Sequence, residues 1–208
     1  MEKSITINLK DIMLEGNLAI PEKSKGIVLF AHGSGSSRFS PRNIFVAKAL
    51  QKENMATLLI DLLTEEEDEN YKTRFDIDLL TERLISSTLW LQKKPQTEDL
   101  PIGLFGASTG AAAALKEAAK LGTLIKAVVS RGGRPDLAID SLELVKSPTL
   151  LIVGGNDFEV IELNEIAYEK LNSIKKLEII EGATHLFEEK GTLEKVAELA
   201  TKWFKKFL

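Results

Sequence analysis

The chain has 208 residues and a hydrophobic content of 44%, which fit one large domain with one substantial core. Its net charge is -4 and its basic residues are scattered, so no basic stripe is available for nucleic acid. There is no cysteine and there are only two histidines, His32 and His185, which excludes thiol chemistry and leaves little material for a metal site. The composition predicts a globular protein that uses oxygen nucleophiles, and the chemistry that we infer below for Ser108 needs no metal or organic cofactor.

The beginning of the chain, MEKSITINLKDIMLEG, lacks the apolar core of a secretory signal. No apolar run approaches the ~20 residues that are needed to cross a bilayer. We therefore expect a cytoplasmic protein with neither a membrane nor a nucleic acid as partner, and homo-oligomer formation stays open.

The first elements in chain order are two short alternating segments, SITINL and IMLEGNLAIP, which Lys10 and Asp11 divide. This pattern predicts an antiparallel pair of strands with one wet face at a sheet edge. Four later runs are almost continuously apolar, as expected of strands that helices cover on both faces: GIVLFAHG, MATLLIDLL, PIGLFGAS and PTLLIVGGND. Two further runs are plausible companion strands, IKAVVSRGG and KLEIIEGATH.

Helical patterns lie between these runs. Residues 75 to 94 carry apolar side chains at helical spacing before Pro95, and the C-terminal stretch has one apolar face opposite lysines and glutamates. Strands and helices alternate without a linker, which predicts one α/β domain over residues 1–208. The predicted fold is a mostly parallel twisted sheet with helices on both faces, an antiparallel N-terminal edge and no large cap.

Small and polar residues follow the predicted buried strands. The strand exits read AHGSGSS, GASTG, SRGG, GGND and EGATH. In α/β folds, ligands bind beyond the carboxyl ends of the parallel strands. These five segments should therefore converge on one functional rim.

The segment GASTG fits Gly-x-Ser-x-Gly, in which a serine sits on a sharp turn from a strand to a helix. Gly106 and Gly110 would flank the nucleophile Ser108, because a Cβ at either position would collide with neighbouring backbone. A serine needs a base and a carboxylate that orients this base. His185 and Asp157 each follow a predicted strand, and the chain order Ser, Asp, His is that of α/β-hydrolases.

An oxyanion formed by attack of Ser108 needs fixed N–H donors. One is the amide of Thr109, which follows the nucleophile at a helix N-terminus. The other is expected from HGSGSS, and we choose the amide of Ser34, with Gly33 as the neighbouring alternative. His32 precedes the serine motif, so we expect its ring to brace this loop rather than act as the base.

Five segments, AHGSGSSRFSPRN, FGASTGAAAAL, VSRGGRPDLA, LLIVGGNDFEV and GATHLFEE, together resemble the serine-bearing branch of the dienelactone hydrolase family, within the α/β-hydrolase superfamily. The resemblance covers almost the whole chain. It implies Ser108 as nucleophile, Asp157 as orienting acid, His185 as base, and hydrolysis of an ester or lactone. The best-known dienelactone hydrolases have cysteine at the position of Ser108, which argues against dienelactone as the substrate. Similar proteins also occur fused to phosphoribosyltransferase-like modules, for which this chain has no room.

Only a short segment separates Arg131 from Pro148, where many lipases of the superfamily insert a helical cap. We therefore expect an open site that suits small or medium acyl substrates. Arg131 and Arg134 leave a strand on the active rim, and either could recognise a substrate carboxylate through a bidentate contact.

Other interpretations of the same residues remain open at this point. Ser108 and Asp157 could be simple helix N-caps, and the acidic run 64 to 70 is a solvated loop rather than a cation site. GASTG also resembles the glycine-rich turn of short-chain dehydrogenases, but it lies half-way along the chain and no tyrosine is followed by lysine four positions later. A noncatalytic α/β-hydrolase-like binding protein is the third alternative.

Overall fold

A computed structural model describes residues 2–9 and 12–208, and its central feature is one sheet. Within these ranges the sheet has eight strands in the order β1-β2-β4-β3-β5-β6-β7-β8. The strands are β1 Glu2–Leu9, β2 Ile12–Ala19, β3 Ile27–Ala31, β4 Ala56–Ile60, β5 Ile102–Ala107, β6 Ile125–Arg131, β7 Thr149–Gly154 and β8 Lys175–Ile180. β2 pairs antiparallel with β1 and β4, and the neighbours from β4 to β8 are parallel. The predicted sheet is confirmed, while Lys10 and Asp11 lie outside the described residues.

The central strands are buried along their whole length. Every residue of β3, β4, β5 and β7 is buried, whereas β1 at the edge is mostly exposed. Parallel strands that helices cover on both faces need apolar residues at every position, which is why their sequences are continuous apolar runs.

Helices cover both faces of the sheet. They are α1 Pro41–Lys52, α2 Glu65–Glu69, α3 Ile77–Leu91, α4 Thr109–Leu121, α5 Phe158–Lys170 and α6 Thr192–Phe207. α1 and α6 build the core on one face with Phe30, Phe105 and Phe187, and α3, α4 and α5 build the core on the other. No helix among the described residues combines the length and apolar character that a bilayer crossing requires.

The acidic run that the sequence predicts to be a loop forms the short helix α2. Thr64 accepts a hydrogen bond from the Glu67 amide at 3.2 Å, and the Glu67 carboxylate accepts one from the Thr64 amide at 2.9 Å. This reciprocal capping box, with Glu65 and Glu66 in the first turn, stabilises a helix start. No group of three or more side chains in the described ranges could hold a metal ion.

The strand order reverses between β3 and β5. From β3 the chain runs outward to β4 and then crosses to β5 on the other side of β3. In an open α/β sheet this reversal creates a crevice beyond the carboxyl ends of the two strands. The loop at Gly33 and Ser34 follows β3 and Ser108 follows β5, so topology brings these segments to one crevice.

Helix α4 packs closely on the sheet. Its four alanines, 111–114, are completely buried, and their small side chains allow this close packing. Glu117 on the same helix is also completely buried, although its neighbours Lys116 and Lys120 suggest a solvated face. Neither Glu117 oxygen has a hydrogen-bond partner among the described residues, and the buried Thr88 hydroxyl has none either. Burial raises the pKa of Glu117 to about 8, because the charged carboxylate would lose its hydration.

This buried carboxyl predicts a pH-dependent stability. The unfolded chain loses the Glu117 proton near pH 4.5, but the folded chain retains it to about pH 8. Below pH 4.5 the contribution of Glu117 to stability is complete, and it declines as pH rises to about 8. Within this window the free energy of unfolding should fall by up to about 1.4 kcal/mol per pH unit because of this group.

Urea unfolding of the parent and of Glu117→Gln between pH 5 and 9 tests the prediction. The glutamine variant should lose less stability than the parent across this range, and Glu117→Met should behave in the same way. Equal pH slopes in the parent and both variants would contradict it.

Candidate active site

Ser108 occupies a strained turn between β5 and α4. Its φ is 50° and its ψ is -121°, a conformation that L residues rarely adopt. The Ser108 amide donates to the Arg131 carbonyl at 3.2 Å, and the Ser108 carbonyl accepts from the amides of Ala111 and Arg134 at 3.1 Å each. Backbone hydrogen bonds on both sides therefore hold the strained residue in place.

The two flanking glycines are required by close backbone approach. A Cβ at Gly110 would lie less than 3.0 Å from the carbonyl oxygens of Ala31 and His32. A Cβ at Gly106 would lie equally close to the backbone of Ala111. The first turn of α4 thus sits directly on the end of β3, which leaves space for glycine alone at these positions.

Ser108 and Asp157 hold helix N-cap positions, but neither side chain caps its helix. Elsewhere the same residue types do cap: Ser40 accepts from the Asn43 amide at 3.4 Å, and Asp76 accepts from the Leu79 amide at 3.0 Å. The capping interpretation therefore does not describe Ser108 or Asp157.

The Asp157 carboxylate bonds to His185 instead. Asp157 Oδ2 and His185 Nδ1 are 2.7 Å apart, and the two side chains are 16% and 37% exposed. Asp157 follows β7 and His185 follows β8, and the amide of Asn156 donates to the Ala183 carbonyl at 2.9 Å, which ties the two loops together. The structure thus brings together an acid and an imidazole that the sequence separates by 28 positions.

The loop that carries His185 is fixed from within. Glu189 accepts hydrogen bonds from the Thr184 hydroxyl at 2.6 Å and from the Thr184 amide at 3.1 Å. These bonds lower the pKa of the Glu189 carboxyl. Phe187 is buried with φ 56°, so it anchors the loop in the core while His185 stays at the surface.

The imidazole lies close to the end of β6. A methyl group at Gly132 would be 3.5 Å from His185 Nδ1 and 3.5 Å from Cε1, and the preceding residue, Arg131, accepts the Ser108 amide. The Ser108 hydroxyl itself makes no hydrogen bond to a residue that the structure describes. The structure therefore joins Asp157 to His185 by a hydrogen bond but does not join His185 to Ser108.

His32 braces the loop after β3, the role that the sequence suggests for it. Its Nε2 accepts from the Leu62 amide at 3.2 Å, so its Nδ1 carries the proton and donates to the Gly33 carbonyl at 3.0 Å. This ring therefore has both nitrogens occupied and is not available as a base.

The amides of Ser34 and Thr109 are the predicted oxyanion donors. These two residues are in contact, and the Ser34 amide already donates a hydrogen bond to the other residue. The Ser34 amide donates to Thr109 Oγ1 at 2.9 Å, while the Thr109 amide is the first of helix α4. Gly33 lies against Ser108, since a Cβ there would be 3.0 Å from Ser108 Cβ. No local sequence pattern predicts the hydrogen bond between Ser34 and Thr109, because the two residues are 75 positions apart.

The sequence places Arg131 and Arg134 on a rim where either could meet a substrate, but the structure buries Arg131 and leaves only Arg134 partly exposed. Arg131 is only 5% exposed and lies 5.8 Å from the Phe187 ring centre, and burial lowers its pKa to about 10. Strand alternation explains this, since Arg131 shares a face of β6 with buried Val129. Arg134 is more open, and its guanidinium forms a bidentate pair with Asp136 at 2.9 and 2.8 Å.

The amino-acid sequence of this chain matches a known protein family. The model of the dienelactone hydrolase family matches residues 14–208. The chain belongs to the dienelactone hydrolase family. A solved dienelactone hydrolase from Anabaena variabilis ATCC 29413 is 55% identical, with a TM-score of 0.97 over 100% of this chain and 98% of that one.

Other relatives place this dienelactone hydrolase family member in a wider context. Two Mycobacterium tuberculosis proteins that carry the name phosphoribosyl transferase, from strains CDC 1551 / Oshkosh and ATCC 25618 / H37Rv, are 55% identical over 203 residues. That match takes in 98% of this chain, which spans only 46% of the length of those relatives. The structure of Est1E from Butyrivibrio proteoclasticus with ferulic acid bound shares the fold at 17% identity, with a TM-score of 0.85 over 98% of both chains. The chain is thus a hydrolase-family member with the α/β-hydrolase fold.

The close approach at Gly110 generates a prediction about stability. Replacing a glycine inside a helix by alanine normally stabilises it by about 1 kcal/mol. Gly110→Ala should instead destabilise the chain by roughly 1–3 kcal/mol, because the new Cβ meets two fixed carbonyl oxygens. Urea unfolding measures this difference.

Gly182→Ala measures the cost of a positive φ without a close contact, since its φ is 75° and no atom lies within 4 Å of the new Cβ. Gly110→Ala should destabilise the chain more than Gly182→Ala does. A Gly110→Ala variant as stable as the parent would contradict the prediction, because it would show that α4 and the end of β3 can move apart at little cost.

Proposed function

We propose that the chain hydrolyses small or medium carboxylic esters or lactones through an acyl-enzyme on Ser108. The observation that carries the proposal is the behaviour of the Asp157 side chain, which leaves its helix uncapped and binds His185 Nδ1 at 2.7 Å. A carboxylate in this place selects one imidazole tautomer and stabilises the imidazolium that forms during catalysis. Membership of a hydrolase family supports the same reaction class.

In the acylation step, His185 Nε2 takes the proton of the Ser108 hydroxyl as Oγ attacks the carbonyl carbon of the substrate. Asp157 keeps the proton of the imidazole on Nδ1, so that Nε2 is free to act as the base. The carbonyl oxygen becomes an oxyanion beside the Thr109 amide, at the positive end of α4. His185 then gives its proton to the departing alcohol oxygen as the bond from carbon to that oxygen breaks.

Water completes the cycle by the same groups. His185 removes a proton from water, the resulting hydroxide attacks the acyl carbon, and the proton returns to Ser108 Oγ as the acid leaves. All proton transfers run between Ser108, His185, water and the substrate, so the cycle balances without a redox partner.

The surroundings of the site favour substrates of modest size. Residues 135–144 form a 3-10 segment that packs on α4 and α5, and the described part of the chain contains no large cap over the rim. Phe158 and Leu186 directly follow Asp157 and His185, and they are 71% and 38% exposed. Their apolar surfaces could receive a short acyl chain or ring without enclosing a long one.

Phosphoribosyl transfer is not proposed for this chain. The name belongs to relatives of which this chain spans 46%, and the hydrolase-family match occupies almost all of the chain. The geometry around Ser108 likewise favours acyl transfer over transfer of a sugar phosphate.

Ser108→Ala should lower kcat for a short nitrophenyl ester by at least about 10⁴-fold, because the nucleophile is lost. The fold should be retained, and its melting temperature and circular dichroism check this. Ser86→Ala, on the exposed face of α3, is the control and should keep parental turnover. A Ser108→Ala variant with parental turnover would refute the proposed function.

Arg134 is the better placed arginine to recognise a substrate carboxylate, because its amide binds the Ser108 carbonyl and its side chain is 36% exposed. The hydrogen bonds that its guanidinium donates to the Asp136 carboxylate raise the pKa of Arg134, so it stays charged. Arg134→Gln should raise KM for an ester with a free carboxylate by about tenfold. KM for the matching neutral ester is the internal control and should not change. An equal effect on both substrates, or none, would reject carboxylate recognition by Arg134.

A further inference from the structure

The Ser34 amide does not point into open space. It donates to Thr109 Oγ1 at 2.9 Å, and Thr109 is only 2% exposed. A bond of this length is an ordinary, well-formed hydrogen bond. The Ser34 amide is therefore already hydrogen-bonded to the Thr109 side chain.

The Thr109 hydroxyl has a proton left to donate. A hydroxyl carries one donor and two lone pairs, and the Ser34 amide occupies one lone pair. A threonine in a helix commonly donates to the carbonyl four residues earlier, which for Thr109 is Phe105 in β5. That bond is not formed, and no acceptor for the Thr109 proton occurs among the residues that the structure describes.

The Thr109 hydroxyl lies in the turn that carries Ser108. Thr109 is the first residue of α4, directly after Ser108, so its hydroxyl and its amide belong to one buried residue beside the turn. The bond from Ser34 draws electron density from Thr109 Oγ1 and makes its proton a better donor. A β-branched side chain in a helix also has few accessible rotamers, which keeps the hydroxyl in place.

We propose that the Thr109 hydroxyl is a side-chain donor of the oxyanion hole and that the Ser34 amide acts through it rather than directly on the substrate. The inference rests on the proposed acyl transfer at Ser108. Thr109 then supplies two donors to the oxyanion, its amide from the helix N-terminus and its hydroxyl from the side chain. Its contribution is made in the transition state, because the carbonyl oxygen gains its charge there.

Thr109→Val tests the proposal, since valine keeps the shape of the side chain and removes the hydroxyl. Loss of an oxyanion donor typically lowers kcat about 10²–10³-fold, and we expect this fall with KM changed by less than about threefold. Thr109→Ser should restore kcat to within about tenfold of the parent, and Thr109→Ala should match Thr109→Val. Thr201→Val, the same change on α6, is the control for the substitution itself and should keep parental kinetics.

The inhibition constant of a boronic acid distinguishes a donor role of the Thr109 hydroxyl from a purely structural one. The boronic acid forms a tetrahedral adduct with a catalytic serine, so its inhibition constant should rise in Thr109→Val by the same factor by which kcat/KM falls. The melting temperature of each variant shows whether the fold is retained.

The outcomes separate this inference from the proposed function. An unchanged or increased kcat in Thr109→Val, with Ser108→Ala inactive, would show that the hydroxyl only occupies the Ser34 amide and would overturn the inference alone. Equal losses in Thr109→Val and Thr109→Ser would assign the effect to packing and would also overturn it. Parental turnover in Ser108→Ala would refute the proposed function and this inference together.

Discussion

The turn from β5 to α4 is the constraint on which the rest of the site depends. Ser108 adopts a φ of 50° because its amide and carbonyl are held by hydrogen bonds to Arg131, Ala111 and Arg134. The turn can approach the end of β3 only because position 110 is glycine. This strain persists because the surrounding backbone over-determines the conformation. The result is a side chain that projects from the sheet at the positive end of a helix.

Topology and local contacts then complete the site. The reversal of strand order at β3 and β5 places the Ser34 loop against the turn, and the parallel order of β6, β7 and β8 brings Asp157 and His185 to the same rim. The 2.7 Å contact between these two side chains is direct, while Glu189 and Phe187 fix the loop that carries the imidazole. Strain and exposure are thus concentrated on a few loop residues above a closely packed sheet.

The sequence predicts the architecture well because each buried strand is a continuous apolar run and each strand exit is glycine-rich. It also indicates Ser108, Asp157 and His185 from their order, and their catalytic roles stay predictions. What it misses depends on tertiary packing. Charged neighbours make Glu117 look solvated, yet the α3 to α4 interface buries it. Arg131 could have been recognised as buried from its alternation with Val129, whereas no local pattern reveals the bond between Ser34 and Thr109.

The central claim is that Ser108 is an activated nucleophile. Incubation with a fluorophosphonate probe, followed by proteolysis and peptide mass mapping, tests this claim most directly, because such a probe captures a serine only when its hydroxyl attacks. We expect one probe per chain, attached at Ser108, and no labelling after heat denaturation. An unlabelled native chain, or a probe attached mainly to another residue, would contradict it.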